Sequence, residues 1–149
     1  MANDKAHLTA ITRRVPSMPC FELKMHDKLI GRVLDYGCGR GIDHKYYGLN
    51  AKYDPFWAPA KPKGKFDTIL CTYVANVVLP EDEFKLLNDI RSYLTDDGIA
   101  YISVRRDIKK EGYTKKGTYQ RNVTLDLPVF KERKGSYCIY ELTSSGEWA

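Results

Sequence analysis

The chain has 149 residues, is 43% hydrophobic and 12% aromatic, and carries a formal net charge of +5. This suits one domain spanning residues 1–149 with one core; no apolar run is long enough to cross a bilayer, and the opening Met1-Ala2-Asn3-Asp4-Lys5 lacks the apolar core of a signal peptide, so the expectation is a cytoplasmic protein. Cys20, Cys38, Cys71 and Cys138 are scattered without a C-x-x-C pair, and His7, His26 and His44 are equally dispersed, which argues against a metal site and for reduced thiols.

The first twenty residues read as an irregular arm closed by Pro16 and Pro19, with the remaining core over residues 31–149. A short helix is expected around Phe21 to Leu29, then a strand from Arg32 to Tyr36. Residues Ile42 to Tyr47 suit a short helix closed by Gly48, and Ala51 to Asp54 a second strand stopped by Pro55. From Pro55 to Lys65, Pro59, Pro62 and Gly64 predict an extended loop. Phe66 to Cys71 is a compact apolar run suited to the centre of a parallel sheet. Pro80-Glu81-Asp82-Glu83 opens a helix with proline in the first turn and acids that complement the dipole. Phe84, Leu87, Ile90 and Leu94 continue it at helical spacing until Asp96-Asp97-Gly98. A fourth strand runs from Ile99 to Val104, and two final β runs, Tyr119 to Leu127 and Tyr137 to Leu142, are expected to pair. The fold class is therefore α/β: a mostly parallel sheet of about six strands covered by helices, with an antiparallel pair of strands at its C-terminal end.

The segment Val33-Leu34-Asp35-Tyr36-Gly37-Cys38-Gly39-Arg40-Gly41 is the strongest single signal. A buried strand runs into an acid and then a Gly-x-Gly-x-Gly loop, whose glycines permit a tight turn and let backbone amides approach a ligand. A dinucleotide fingerprint would need glycine three positions after Gly39, where Ile42 stands.

With Tyr53-Asp54, Phe66-Asp67-Thr68-Ile69-Leu70 and Leu94-Thr95-Asp96-Asp97-Gly98-Ile99-Ala100, this segment resembles the class I S-adenosylmethionine-dependent methyltransferases. The resemblance covers roughly residues 31 to 106 by motif and the rest by topology. It implies a Rossmann-like methyltransferase fold with S-adenosyl-L-methionine as cofactor. Asp35 would hold the ammonium of the cofactor's amino-acid tail, and the backbone of Tyr36, Gly37, Cys38, Gly39 and Gly41 would pass under tail and sugar. Asp54 would accept the ribose hydroxyls, with Pro55 and Phe56 beside it. Cys71, Thr72 and Tyr73, at the end of the third strand, would lie near the tail and the methyl group. The chain departs from the family between Asp54 and Phe66, where the family has a helix and a strand carrying an acid for the adenine amino group. Here that unit is reduced to a loop, and Phe56 or Trp57 is left to stack on the base.

Other residues divide between structure and function. Asp67 starts a strand at the end away from the ligand, which suits a structural role. Cys71 reads as core, against a nucleophile for pyrimidine C5 methylation. Asn76 stands where amino-methylating nucleic-acid enzymes carry Asp/Asn-Pro-Pro-aromatic, but no proline pair follows. Arg13, Arg14, Ser17 and Met18 belong either to a solvated tail or to a lid over the cofactor, with an arginine on its carboxylate. Between Arg105 and Arg121 lie seven basic residues and two acids, matching the chain's whole excess charge. With Tyr113 and Tyr119 interleaved, this loop is either a soluble face or a site for an anionic partner, with Arg105 and Arg106 at the active-site rim. No catalytic base is identifiable. The leading function is methyl transfer to a small-molecule or acidic acceptor. The alternatives are a nucleic-acid or protein methyltransferase docking through residues 105–121, and a non-methylating binder or cofactor-degrading enzyme.

Overall fold

The computed structural model describes residues 5–9 and 14–144. Its frame is a six-stranded sheet in the order β2-β1-β3-β4-β8-β7. The strands are β1 (Val33–Tyr36), β2 (Ala51–Tyr53), β3 (Phe66–Thr72), β4 (Leu94–Arg105), β7 (Val129–Arg133) and β8 (Tyr137–Thr143). β2, β1, β3 and β4 run parallel, while β8 is antiparallel to β4 and β7 to β8. This is the expected Rossmann-like arrangement, and the segment between β2 and β3 forms neither helix nor strand, apart from a single bridge between Asp54 and Ala58.

Alternation along the buried strands sends successive side chains to opposite faces, so each face needs its own cover. On one face, Val33, Leu70, Tyr101 and Ile139 pack with Cys20 and Leu23 of helix α1 (Met18–Met25). On the other, Leu34, Ile69, Ile102 and Leu142 pack with Leu86, Leu87 and Ile90 of helix α3 (Glu83–Ser92). The short helix α2 (Ile42–Tyr47) follows the glycine loop where it was expected.

Three of the differences from the sequence reading bear on the sheet and its cover. Helix α1 starts at Met18 rather than Phe21, because Ser17 caps it and Pro19 sits in its first turn, where its missing N–H costs nothing. Helix α3 ends at Ser92, because the Tyr93 carbonyl accepts from Phe66 N–H and Leu94 already pairs with Phe66. The register then jumps by three residues, so that Thr68 faces Ile99.

The third difference is larger. Only Tyr119–Gln120 (β6) of the run Tyr119 to Leu127 is a strand, and it pairs with Gly112–Tyr113 (β5) in a separate two-stranded ribbon. The neighbour of β8 is instead Val129–Arg133. Val123 and Leu125 are buried in the core on the α3 side, which explains their alternation. The backbone around them is held from outside any ladder: Arg121 N–H donates to the Asn76 carbonyl, and Asn122 N–H to a Glu111 carboxylate oxygen.

Candidate functional site

The C-terminal ends of β1, β2, β3 and β4 converge on one cavity of about 960 Å³. Its floor is the glycine loop. Gly37, Gly39 and Gly41 all have positive φ, and a Cβ built on Gly37 would stand 2.2 Å from Val74 Cγ2, so the loop can lie this close to the end of β3 only without a side chain. Gly37 and Cys38 both donate their N–H to the Tyr53 carbonyl, which joins the loop to the end of β2.

Asp35 is 3% exposed and lines the cavity. Burial first, then the carboxylates of Asp43 and Asp54, push its carboxyl up to about 8; the His44 backbone N–H and Lys52 act in the opposite direction. At neutral pH it is therefore largely protonated until a cation arrives.

Asp54 follows β2 directly. Its Oδ2 accepts from Gly39 N–H at 2.9 Å, and its Oδ1 from Phe56 N–H at 2.9 Å and Trp57 N–H at 3.1 Å. One carboxylate thus fixes the glycine loop and the start of the 55–65 loop. Three of its roughly four acceptor positions are taken, which leaves one lone pair on Oδ2.

Across the floor, Tyr73 has φ +65, a left-handed conformation that is uncommon for a bulky residue, and its N–H donates to the Ser103 carbonyl. The Thr72 hydroxyl oxygen is buried in the cavity wall with no hydrogen-bond partner among the described residues.

Of the residues singled out in the sequence, Asp35, Tyr36, Gly37, Cys38, Gly39, Asp54, Pro55, Phe56, Thr72, Tyr73, Asn76 and Arg105 line this cavity. Gly41 lies just behind it as the N-cap of α2. Cys71 points into the core on the α3 side, fully buried, and burial raises its thiol pKa strongly, which suits an inert core residue. Burial likewise lifts the Cys38 thiol to about 12. The Asn76 amide is already committed: Oδ1 accepts from Arg105 N–H, and Nδ2 donates to the carbonyls of Arg105 and Arg121. Arg106 turns away to Glu132 and Tyr140. Arg14 lines a separate shallow recess with Ile42, Lys45 and Tyr46, and Arg13 lies outside the described residues.

Ser17, a candidate of the N-terminal arm, also lines the cavity, whereas His7, Lys61 and Asp89, which line it too, were not singled out in the sequence. They come from elements distant in sequence, and no local pattern marks them.

A family model described as a methyltransferase domain matches residues 10–144. The chain belongs to this family. It is a class I S-adenosylmethionine-dependent methyltransferase. No curated protein matches it. Among solved structures, it is similar to the 1,6-didemethyltoxoflavin-N1-methyltransferase of Burkholderia thailandensis, with bound 1,6-didemethyltoxoflavin and S-adenosylhomocysteine. The identity is 20% and the TM-score 0.58, over 93% of this chain and 78% of the other. It is also similar to the glycopeptide N-methyltransferase MtfA with S-adenosyl-L-homocysteine, at 11% identity and TM-score 0.50, over 93% and 79% of the two chains.

S-adenosylmethionine is the methyltransferase's cofactor. The cavity's chemistry fits it. The tail ammonium needs a carboxylate, a tail and sugar need close backbone approach, and a polar ligand suits the orphaned hydroxyl of Thr72. All three occur in this one cavity.

Proposed function

We propose that this methyltransferase acts on a small acidic organic acceptor, bound at the end of the cavity lined by Tyr73, Arg105, Ile108 and Gln120. In this reading Asp35 receives the tail ammonium, and the Gly37–Gly39 backbone lies under the tail and sugar. Asp54 uses its remaining lone pair on a ribose hydroxyl, and Thr72 bonds the tail.

The observation that carries the reading is the continuity of the cavity. It runs from Asp35 and Asp54 to Arg105 and Gln120 as one space, within the size range of small-molecule sites. When bound, S-adenosylmethionine supplies an electrophilic methyl group. The protein's part is to align the acceptor in line with it and exclude water. Arg105 supplies the acidic preference: its Nε is held by Asp107 at 2.9 Å, which orients the guanidinium at the rim, and its terminal nitrogens make no hydrogen bond among the described residues. A guanidinium fork suits a carboxylate or phosphate.

The test is calorimetry with S-adenosylmethionine and S-adenosylhomocysteine, followed by S-adenosylhomocysteine release against matched acidic and neutral acceptors. Arg105→Gln should raise KM for acidic acceptors and leave the cofactor affinity unchanged. If neither cofactor form binds and Asp54→Ala alters nothing, the site assignment is wrong. Turnover with neutral acceptors alone would remove the role of Arg105.

A further inference from the structure

Ala6 and His7 of the single helical turn Ala6–Thr9 line the cavity. Its His7 imidazole stacks on the Phe56 ring, with centroids 3.9 Å apart and planes inclined by 17°. The His7 carbonyl accepts from Trp57 Nε1 at 3.4 Å. On the far side of the turn, Lys5 lies against Gly117, where an added Cβ would stand 2.9 Å from Lys5 Nζ. The turn therefore bridges the loop after β2 and the β5–β6 ribbon.

Phe56 is 55% exposed, so it is not held there by a core. It is held by its backbone: Phe56 N–H donates to Asp54 Oδ1 at 2.9 Å. The next residue is fixed in the same way, and the Arg40 guanidinium lies 4.4 Å over the Trp57 ring. An exposed aromatic ring on a fixed backbone, two positions after the acid proposed for the ribose, is in reach of a base attached to that ribose. The face of the ring that a base would use carries the flat heteroaromatic ring of His7.

We propose that His7 and Phe56 are the two jaws of the base site, with the purine inserted between them and the imidazole moving outward to stack on its second face. This rests on the reading of the cavity as the S-adenosylmethionine site. It assigns to a residue of the N-terminal segment the base contact that the helix–strand unit missing after β2 does not supply. Stacking on an aromatic ring is tolerant of ring type and needs no hydrogen-bond pattern, so a mobile jaw is sufficient. Closure of the turn over the ligand also removes water from the reacting end.

Trp57 and Trp148 are the two tryptophans of the chain, so Trp57 fluorescence in a Trp148→Phe background reports on this site. Titration with S-adenosylhomocysteine and with adenosine, checked by calorimetry, should show His7→Ala weakening both ligands by roughly tenfold, the scale of one base–aromatic stack. Phe56→Ala should weaken them at least as much, and His7→Phe should restore affinity. His7 is on a surface turn, so an unchanged unfolding midpoint is expected for its variants. Unchanged or tighter binding by His7→Ala would overturn the proposal, because the ring would then be a bystander or a plug. A loss for S-adenosylhomocysteine without a loss for adenosine would also overturn it. Failure of the unmutated protein to bind either ligand is a different result: it removes the cavity assignment itself.

Discussion

Ser17 and Asp43 are joined by two hydrogen bonds, from the Ser17 amide to Oδ1 and from its hydroxyl to Oδ2, each 2.8 Å. The same hydroxyl oxygen accepts from Cys20 N–H at 3.3 Å and so caps α1. One side chain, 1% exposed, thus closes the first helix and ties it to the helix after the glycine loop. Ser17→Ala keeps the amide bond but loses both hydroxyl contacts. It should lower stability by about 1–3 kcal/mol, read as a shift of the denaturant midpoint at constant slope. Ser17→Thr, which keeps the hydroxyl, should recover most of the loss. An unchanged midpoint for the alanine variant would mean that the bonds contribute nothing.

The Asp43 carboxylate also raises the pKa of Asp35. The Asp35 carboxyl ionises near 3.8 in an open chain and near 8 in the fold, so between those values the folded protein holds a proton that the unfolded chain has lost. The ligand-free protein should therefore lose stability as pH rises from about 4 to about 8. Asp35→Asn should flatten that slope. An ammonium beside Asp35 favours the charged form, so S-adenosylhomocysteine binding at pH 7 should release close to one proton. Calorimetry in buffers of different ionisation enthalpy measures this release directly. Absence of proton release from the unmutated protein would place the ammonium elsewhere.

The parts of this site that were legible in the sequence are those written locally. The glycine loop, Asp35, Asp54 and the proline-rich loop from Pro55 each declare themselves within a few residues, because strand ends and turns need particular backbone freedom. The run Val123, Leu125, Leu127 misled for a physical reason: alternation reports burial on one side, whether or not a strand lies alongside to complete a ladder. Conversely, Val129–Arg133 ends in three charged residues and still forms β7, because Lys131 reaches Glu22 at 2.7 Å and Phe130 packs against the α1 side. His7 was illegible because its partner is 49 positions away and neither residue belongs to a periodic element.

The basic segment is less open to partners than its charge suggests. Arg105 pairs with Asp107, Arg106 with Glu132, and Arg121 with Glu83. Lys109, Lys110, Lys115 and Lys116 are exposed and make no ion pair among the described residues. The protein should therefore be retained on duplex DNA only at low salt, with a shallow dependence of a few phosphate contacts. Replacing the four lysines by glutamine should abolish that retention and leave S-adenosylhomocysteine affinity unchanged. Retention that persists at physiological salt would favour a nucleic-acid acceptor over a small one.

Asn76 provides the sharpest separation of structure from binding. It is 2% exposed and its side chain makes three bonds, all to backbone: from Arg105 N–H at 2.8 Å, to the Arg105 carbonyl at 3.1 Å and to the Arg121 carbonyl at 2.9 Å. The Asn76 carbonyl accepts a fourth bond, from Arg121 N–H. These bonds hold the ends of β3 and β4 and the start of the 121–127 segment around the proposed acceptor end. Asn76→Ala leaves three backbone groups without partners and should cost about 2–4 kcal/mol. Asn76→Asp keeps the acceptor for Arg105 N–H but sets a carboxylate against two carbonyls, so it should be no better than alanine. If Asn76 instead contacts the acceptor, the aspartate variant would fold normally and fail only in turnover. Comparing the unfolding midpoint with KM for both variants decides between these roles: a positioning residue lowers the midpoint and raises KM in both.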